Sequence, residues 1–125
     1  MIKILNKING INNVVENNNL LEVEFDKTNI LKIFNQLKDN ADLSFNQLLD
    51  ITAVDYPSRE FRFDLIYILQ SLTKNKKVIL KTFIKENENI ESITNIYKSA
   101  DWYERECYDL FGIEFINHPD LRRIM

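Results

Sequence analysis

The chain has 125 residues, a hydrophobic fraction of 45%, a charged fraction of 28% and a formal net charge of -3. That balance describes one folded domain around a single apolar core and excludes a disordered or fibrous chain. The acidic excess argues against the net basic footprint that nucleic-acid phosphates require, and a lone cysteine, Cys107, rules out an internal disulfide and favours a reducing, cytoplasmic compartment.

The opening MIKILNKING lacks the apolar run of a secretion signal, and the longest strictly apolar run, Leu65 to Leu69, is too short to span a membrane. Strands are predicted at about 11–15 and 20–25, joined by a turn at Glu16 to Asn19. Ile30, Ile33, Phe34 and Leu37 recur at i, i+3, i+4 and i+7, which predicts a sheet-covering helix over about 28–40. Leu49, Ile51 and Ala53 alternate with more polar neighbours as a strand that ends before Pro57. Phe61, Phe63, Leu65, Tyr67 and Leu69 give the strongest strand signal, sharing one face, with Arg62 and Asp64 beginning the other. Lys74 to Lys77 reads as a solvated hairpin turn. The strand after it, with Val78, Leu80, Thr82 and Ile84 on one face, completes an antiparallel meander. Helical spacing returns at Ile90, Ile93, Ile96 and Tyr97. The expected fold is α+β in two layers, a mostly antiparallel or mixed sheet covered by helices on one face, as a single domain over residues 1–125. No Gly-rich phosphate loop is present.

The stretch DWYERECYDLFGIEFINHPDLRR, Asp101 to Arg123, concentrates the chemistry. Asp101 and Glu104 resemble a capping box, and Gly112 is suited to the left-handed stop after the last turn, so a helix of about three turns is expected between them. Tyr103, Cys107, Leu110 and Phe111 are assigned to its apolar side, and Asp101, Arg105 and Asp109 to a charged row. Cys107 has no second thiol or neighbouring histidine and reads as a small core residue. His118 with Cys107, Glu104 and Asp120 is a conceivable metal set, but the spacing matches no metal motif. Before Pro119, the histidine fits a turn or a contact. Glu104 and Glu106 project about 200° apart and do not share a substrate. An acid–base enzyme built on Glu104, Asp109 and His118 is the competing reading from another class. Trp102 suits packing, an interface or, least well, a stacked ligand. Asp109 faces the negative end of the helix dipole at a cost of about 0.3–1 kcal/mol, which pairing with Arg105 offsets by only about 0.2–0.5 kcal/mol. A partner's basic residue would complete the balance.

These residues resemble the signature of the C-type subunit of NADH-quinone oxidoreductase, the 30 kDa subunit family of respiratory complex I. Its typical form reads W-x-E-R-E-x-x-D-x-x-G-I-x-F-x-x-H-P-D-L-R-R-I-L. Trp102, Glu104, Arg105, Glu106, Asp109, Gly112, Ile113, Phe115, His118, Pro119, Asp120, Leu121, Arg122, Arg123 and Ile124 match it. LLDITAVDYP and RFDLIYIL are also similar to the family's order. The resemblance implies a non-catalytic scaffold subunit of the peripheral arm of a proton-translocating complex, on the cytoplasmic side of a bacterial inner membrane. It implies no catalytic, cofactor or metal residue in this chain, while iron-sulfur clusters, quinone and, in some complexes, FMN and NADH belong to other subunits. The D-type subunit is the implied principal partner, followed by the B-type and I-type subunits. Trp102, Glu104, Arg105, Glu106, Asp109, His118, Pro119, Asp120, Leu121, Arg122 and Arg123 form the implied interface. The equivalent subunit of a membrane-bound energy-converting hydrogenase is the alternative. The family has a small apolar residue where Cys107 stands and continues past Arg123 into a Pro-rich tail that this chain is expected to lack.

Overall fold

The structure is a computed structural model that describes residues 1–119. A short helix, α1 (Ile2–Asn6), precedes a hairpin of β1 (Ile11–Asn17) and β2 (Leu20–Phe25). Asn18 turns the hairpin at φ 56°, a left-handed conformation that asparagine adopts more readily than most residues. Asp26 Oδ1 accepts hydrogen bonds from the backbone N–H of Thr28 (3.0 Å) and from its hydroxyl (2.8 Å), so the chain enters a 3₁₀ turn at Lys27–Asn29 and then α2 (Ile30–Asp39). Ile30, Ile33, Phe34 and Leu37 are buried along one side of α2, as their spacing predicts.

Strands β3 (Gln47–Asp55), β4 (Phe63–Ser71) and β5 (Lys76–Ile84) form the antiparallel meander. The five-stranded order is β1-β2-β5-β4-β3, with β2 lying parallel to β5. The sheet is therefore mixed. Parallel pairing demands a crossover, and the segment carrying α2 supplies part of it. Phe63, Leu65, Tyr67 and Leu69 from β4 and Val78, Leu80, Thr82 and Ile84 from β5 point into one core. There the rings of Phe25, Phe34 and Tyr67 meet edge to face at 5.0–5.8 Å between centroids, and Tyr97 joins Phe34. Among the described residues no helix covers the other sheet face, which shows Ile66, Ile68, Ile79 and Phe83 half-buried.

Several local expectations change. A bulge between Leu48 and Asp50 shifts the register of β3, so Leu48 is buried while Leu49 faces out. Phe61 lies before β4 rather than in it; its ring is exposed and sits under the ammonium groups of Lys27 and Lys85. The lysine-rich turn is not wholly solvated, because Lys76 Nζ reaches Glu16 Oε2 at 2.6 Å and the Asn18 carbonyl at 3.2 Å. Residues 90–97 form no helix. Strand β6 (Asn89–Glu91) is followed by tight turns in which the Ile93 carbonyl accepts from the N–H groups of Ile96 and Tyr97. Ile90, Ile93, Ile96 and Tyr97 are all buried, so the apolar spacing found the core but not the backbone.

The last helix, α3 (Ala100–Phe111), ends at Gly112 with φ 73° and with its N–H bonded to the Tyr108 carbonyl at 2.8 Å. Nothing lies within 4 Å of where a side chain would project from Gly112, so the backbone angle, not space, favours glycine there. Strand β7 (Glu114–Ile116) then pairs in parallel with β6. The α+β, two-layer arrangement with helices against one sheet face is as expected.

Candidate partner-binding site

Helix α3 has a buried side and an exposed side, with most of its residues partly covered between them. Ala100, Glu104 and Cys107 point inward, and the ring of Phe111 packs edge to face on Phe63. Trp102 (48% exposed) and Leu110 (72% exposed) point outward, with Arg105, Glu106 and Asp109 partly exposed. At roughly 100° per residue, Trp102, Glu106, Asp109 and Leu110 fall within about 100° of arc on the outward side. The expectation that Leu110 shares the apolar inner side with Cys107 is corrected: it lies about 60° farther around, toward solvent. It is the surface residue that residue type alone misassigns.

Asp101 and Arg105 pair one turn apart (Nε to Oδ1, 3.4 Å), and the Arg105 guanidinium lies 5.5 Å from the centre of the Trp102 ring. This cation–π contact steadies an aromatic group that stays half in water. Pro119 is exposed. Asp120, Leu121, Arg122 and Arg123, also expected at the interface, lie outside the described residues.

Two of the expected interface residues sit inside the fold. Glu104 is 0% exposed and makes no capping box. Its Oε1 accepts from Ser92 Oγ at 2.6 Å, and its Oε2 accepts from the Ile93 N–H at 2.9 Å. Burial raises its pKa to about 7, aided by the charge of Asp101 and opposed by the two hydrogen bonds, which favour the carboxylate. The His118 side chain is also fully covered. Its Nε2 lies 3.1 Å from the Asp101 carbonyl oxygen, 3.3 Å from Asp101 Oδ1 and 3.9 Å from Glu104 Oε1. In the isolated chain both residues support the surface from beneath. Ser92, which holds Glu104, carries no sequence signal of its own.

Cys107 is buried, with Sγ 3.4 Å from the Ile51 carbonyl oxygen, and burial pushes its thiol up to about 12. It is a core group with almost no thiolate at neutral pH. Glu104, Asp109 and His118 do not form an open acid–base site: Glu104 and Asp109 project about 140° apart, and the carboxyl and imidazole that do meet are closed to solvent. Among the described residues no three His, Cys, Asp or Glu side chains converge on a metal position, and no helix is long and apolar enough to cross a membrane.

A family model described as the 30 kDa subunit of respiratory-chain NADH dehydrogenase matches residues 23–125. The chain is 49% identical over 96 residues to the C-type subunit of NADH-quinone oxidoreductase from Caulobacter sp. (strain K31), covering 77% of this chain and 45% of the relative. It is 44% identical over 105 residues to the mitochondrial NADH-ubiquinone oxidoreductase 30.4 kDa subunit of Neurospora crassa, covering 84% of this chain and 37% of that one. It thus spans half or less of these relatives. Among solved structures, a trypsin-resistant fragment of Nqo5 superposes with a TM-score of 0.75 at 30% identity, covering 87% of this chain and 89% of the fragment. A chain of the membrane-bound sulfane sulfur reductase, an archaeal respiratory membrane complex, superposes with a TM-score of 0.80 at 27% identity, covering 93% of this chain and 68% of its own. The chain belongs to the respiratory-chain NADH dehydrogenase 30 kDa subunit family.

Proposed function

We propose that this chain is a non-catalytic scaffold subunit of the peripheral arm of a proton-translocating NADH-quinone oxidoreductase. In this reading it supports electron transfer to quinone without carrying electrons, and sits at the cytoplasmic face of a bacterial inner membrane. The observation that carries the proposal is the outward face of α3, where Trp102, Glu106, Asp109 and Leu110 lie at the surface of a helix whose opposite face is locked into the core. A mixed apolar and charged patch on a rigid element is what a specific protein interface needs, and Trp is among the residues that dominate interface energies. The D-type subunit is the proposed main partner, with the B-type and I-type subunits beyond it, and flavin, clusters and quinone are assigned to other subunits. The family membership supports this assignment.

The test is reconstitution: purified chain added to a peripheral arm depleted of it should restore quinone reductase activity, while the chain alone shows none. Turnover by the isolated chain would overturn the non-catalytic reading. The likeness to a chain of an archaeal sulfane sulfur reductase favours one second reading, the equivalent subunit of a related membrane complex such as an energy-converting hydrogenase. The electron donor oxidised by the co-purified assembly separates the two.

A further inference from the structure

We propose that Glu104 is the bolt of a proton-linked latch, fastening the 92–94 turn, and through it the β7 segment paired with that stretch, onto α3. The inference rests on the proposed role of α3 and the following segment as a partner surface. Three separate stretches of chain meet at this carboxyl group. Ser92 Oγ and the Ile93 N–H donate to its two oxygens, and His118 Nε2 stands 3.9 Å from Oε1. The turn and the closing segment are also tied by the Ser92 N–H to the Ile116 carbonyl (2.9 Å) and by the two-stranded pairing of β6 with β7, while Ser92 Oγ against Thr94 Oγ1 (2.9 Å) holds the turn itself. The joint also has ties that no proton moves: Asn117 Nδ2 to Glu91 (3.1 Å), His118 Nε2 to the Asp101 carbonyl oxygen (3.1 Å) and the buried side chains of Ile90, Ile93 and Phe115, so the carboxyl group is its one titrating fastening to the 92–94 turn among the described residues.

Among the described residues the ionisable groups facing Glu104 are few. Asp101 and Cys107 come from α3, with Arg105 paired to Asp101; Tyr67 comes from β4 and His118 from the closing segment. Two of these, Asp101 and the Cys107 thiol, are acidic groups that do not help a second negative charge in a site without solvent. The closed joint therefore holds a proton that an opened, solvated Glu104 would release. The sign follows. With a closed value of about 7 against about 4.5 once exposed, the closed form binds the extra proton between those values, so rising pH favours opening. Between pH 5.5 and 8.5 the opening equilibrium should rise by up to about 30-fold.

Hydrogen exchange of the Ile93 amide, corrected for intrinsic rate, tests this without any partner, using the amides of Leu65 and Leu69 in central strand β4 as reference. The expected result is a tenfold or greater loss of Ile93 protection from pH 5.5 to 8.5 with the reference amides unchanged. Glu104→Gln has the shape of the neutral acid; its oxygen accepts from Ile93 and its NH₂ donates to Ser92 Oγ, so protection should become independent of pH. Ser92→Ala removes a donor that favours the carboxylate and should move the midpoint upward, which decides the matter if Glu104→Gln fails to fold. Protection that does not change with pH, that falls in step with β4, or that keeps its pH dependence in Glu104→Gln overturns the latch. Binding to the peripheral arm at the same two pH values separates the premises: exchange that shifts while binding does not leaves the latch standing and contradicts the partner-surface reading.

Discussion

Replacing Leu110 by Lys should move folding and assembly differently, because the residue occupies two environments at once. In the free chain it is 72% exposed, so only about a quarter of its burial energy, roughly 0.4–0.8 kcal/mol, is lost from the fold. The last turn of α3 contains no basic residue, and a lysine there gains about 0.3–1 kcal/mol from the carbonyl end of the helix. These contributions nearly cancel, and the melting temperature should shift by no more than about 3 °C. Under a partner, covering the exposed part of a leucine contributes about 1–2 kcal/mol, and an unpaired lysine adds a desolvation cost to that loss. Association with the peripheral arm should therefore weaken by about 5–30-fold or more, measured by titration calorimetry or by competition with the unmodified chain. Binding within twofold of the original would falsify the assignment of this end of α3 to an interface. A collapse of the melting temperature would show instead that Leu110 belongs to the core.

Asp109→Lys, and Arg122→Glu or Arg123→Glu beyond the described residues, should leave the melting temperature nearly unchanged. Each should weaken assembly by about 2–5 kcal/mol where the charge is desolvated, against under about 1 kcal/mol for a charge left in water; unfolding with normal binding at low temperature would make them structural. Cys107→Ala should cost about 1–2 kcal/mol through a small cavity and still assemble, and the native thiol should resist alkylation at pH 8; modification at the rate of a free cysteine contradicts its placement. The Tyr67 hydroxyl is fully buried without a hydrogen-bond partner among the described residues, so Tyr67→Phe should leave stability unchanged or raise it by up to about 1 kcal/mol in chemical denaturation. A loss of more than that would reveal an interaction of the hydroxyl.

Elements with long, one-sided patterns are legible in the chain itself. The apolar stripe of α2 and the alternation of β4 and β5 each bury one face against a common core, so period and burial agree. Where a local irregularity intervenes, the pattern misleads. The bulge in β3 exchanges Leu48 for Leu49, and the turns around Ile93 bury the same residues a helix would have buried. The parallel pairing of β2 with β5 depends on how α2 crosses the sheet and leaves no trace in composition. The signature stretch carries the helix, its stop at Gly112 and the family. It does not tell which charges face out. Glu104 and Asp109 look alike on paper, yet one meets Ser92 and Ile93 inside the fold and the other is partly exposed on the opposite side of the helix, because inward and outward are set by segments distant in sequence.

If this chain works as an assembled subunit, isolating it with a tag from its native membranes should show the partners it works with. The unaltered chain should elute in a large assembly containing iron-sulfur subunits and quinone reductase activity, and the Leu110→Lys and Asp109→Lys variants, folded and present at equal levels, should bring down markedly less of that assembly. Elution of the unaltered chain by itself, or recovery by the variants of as much active assembly as the unaltered chain brings down, would contradict the assignment.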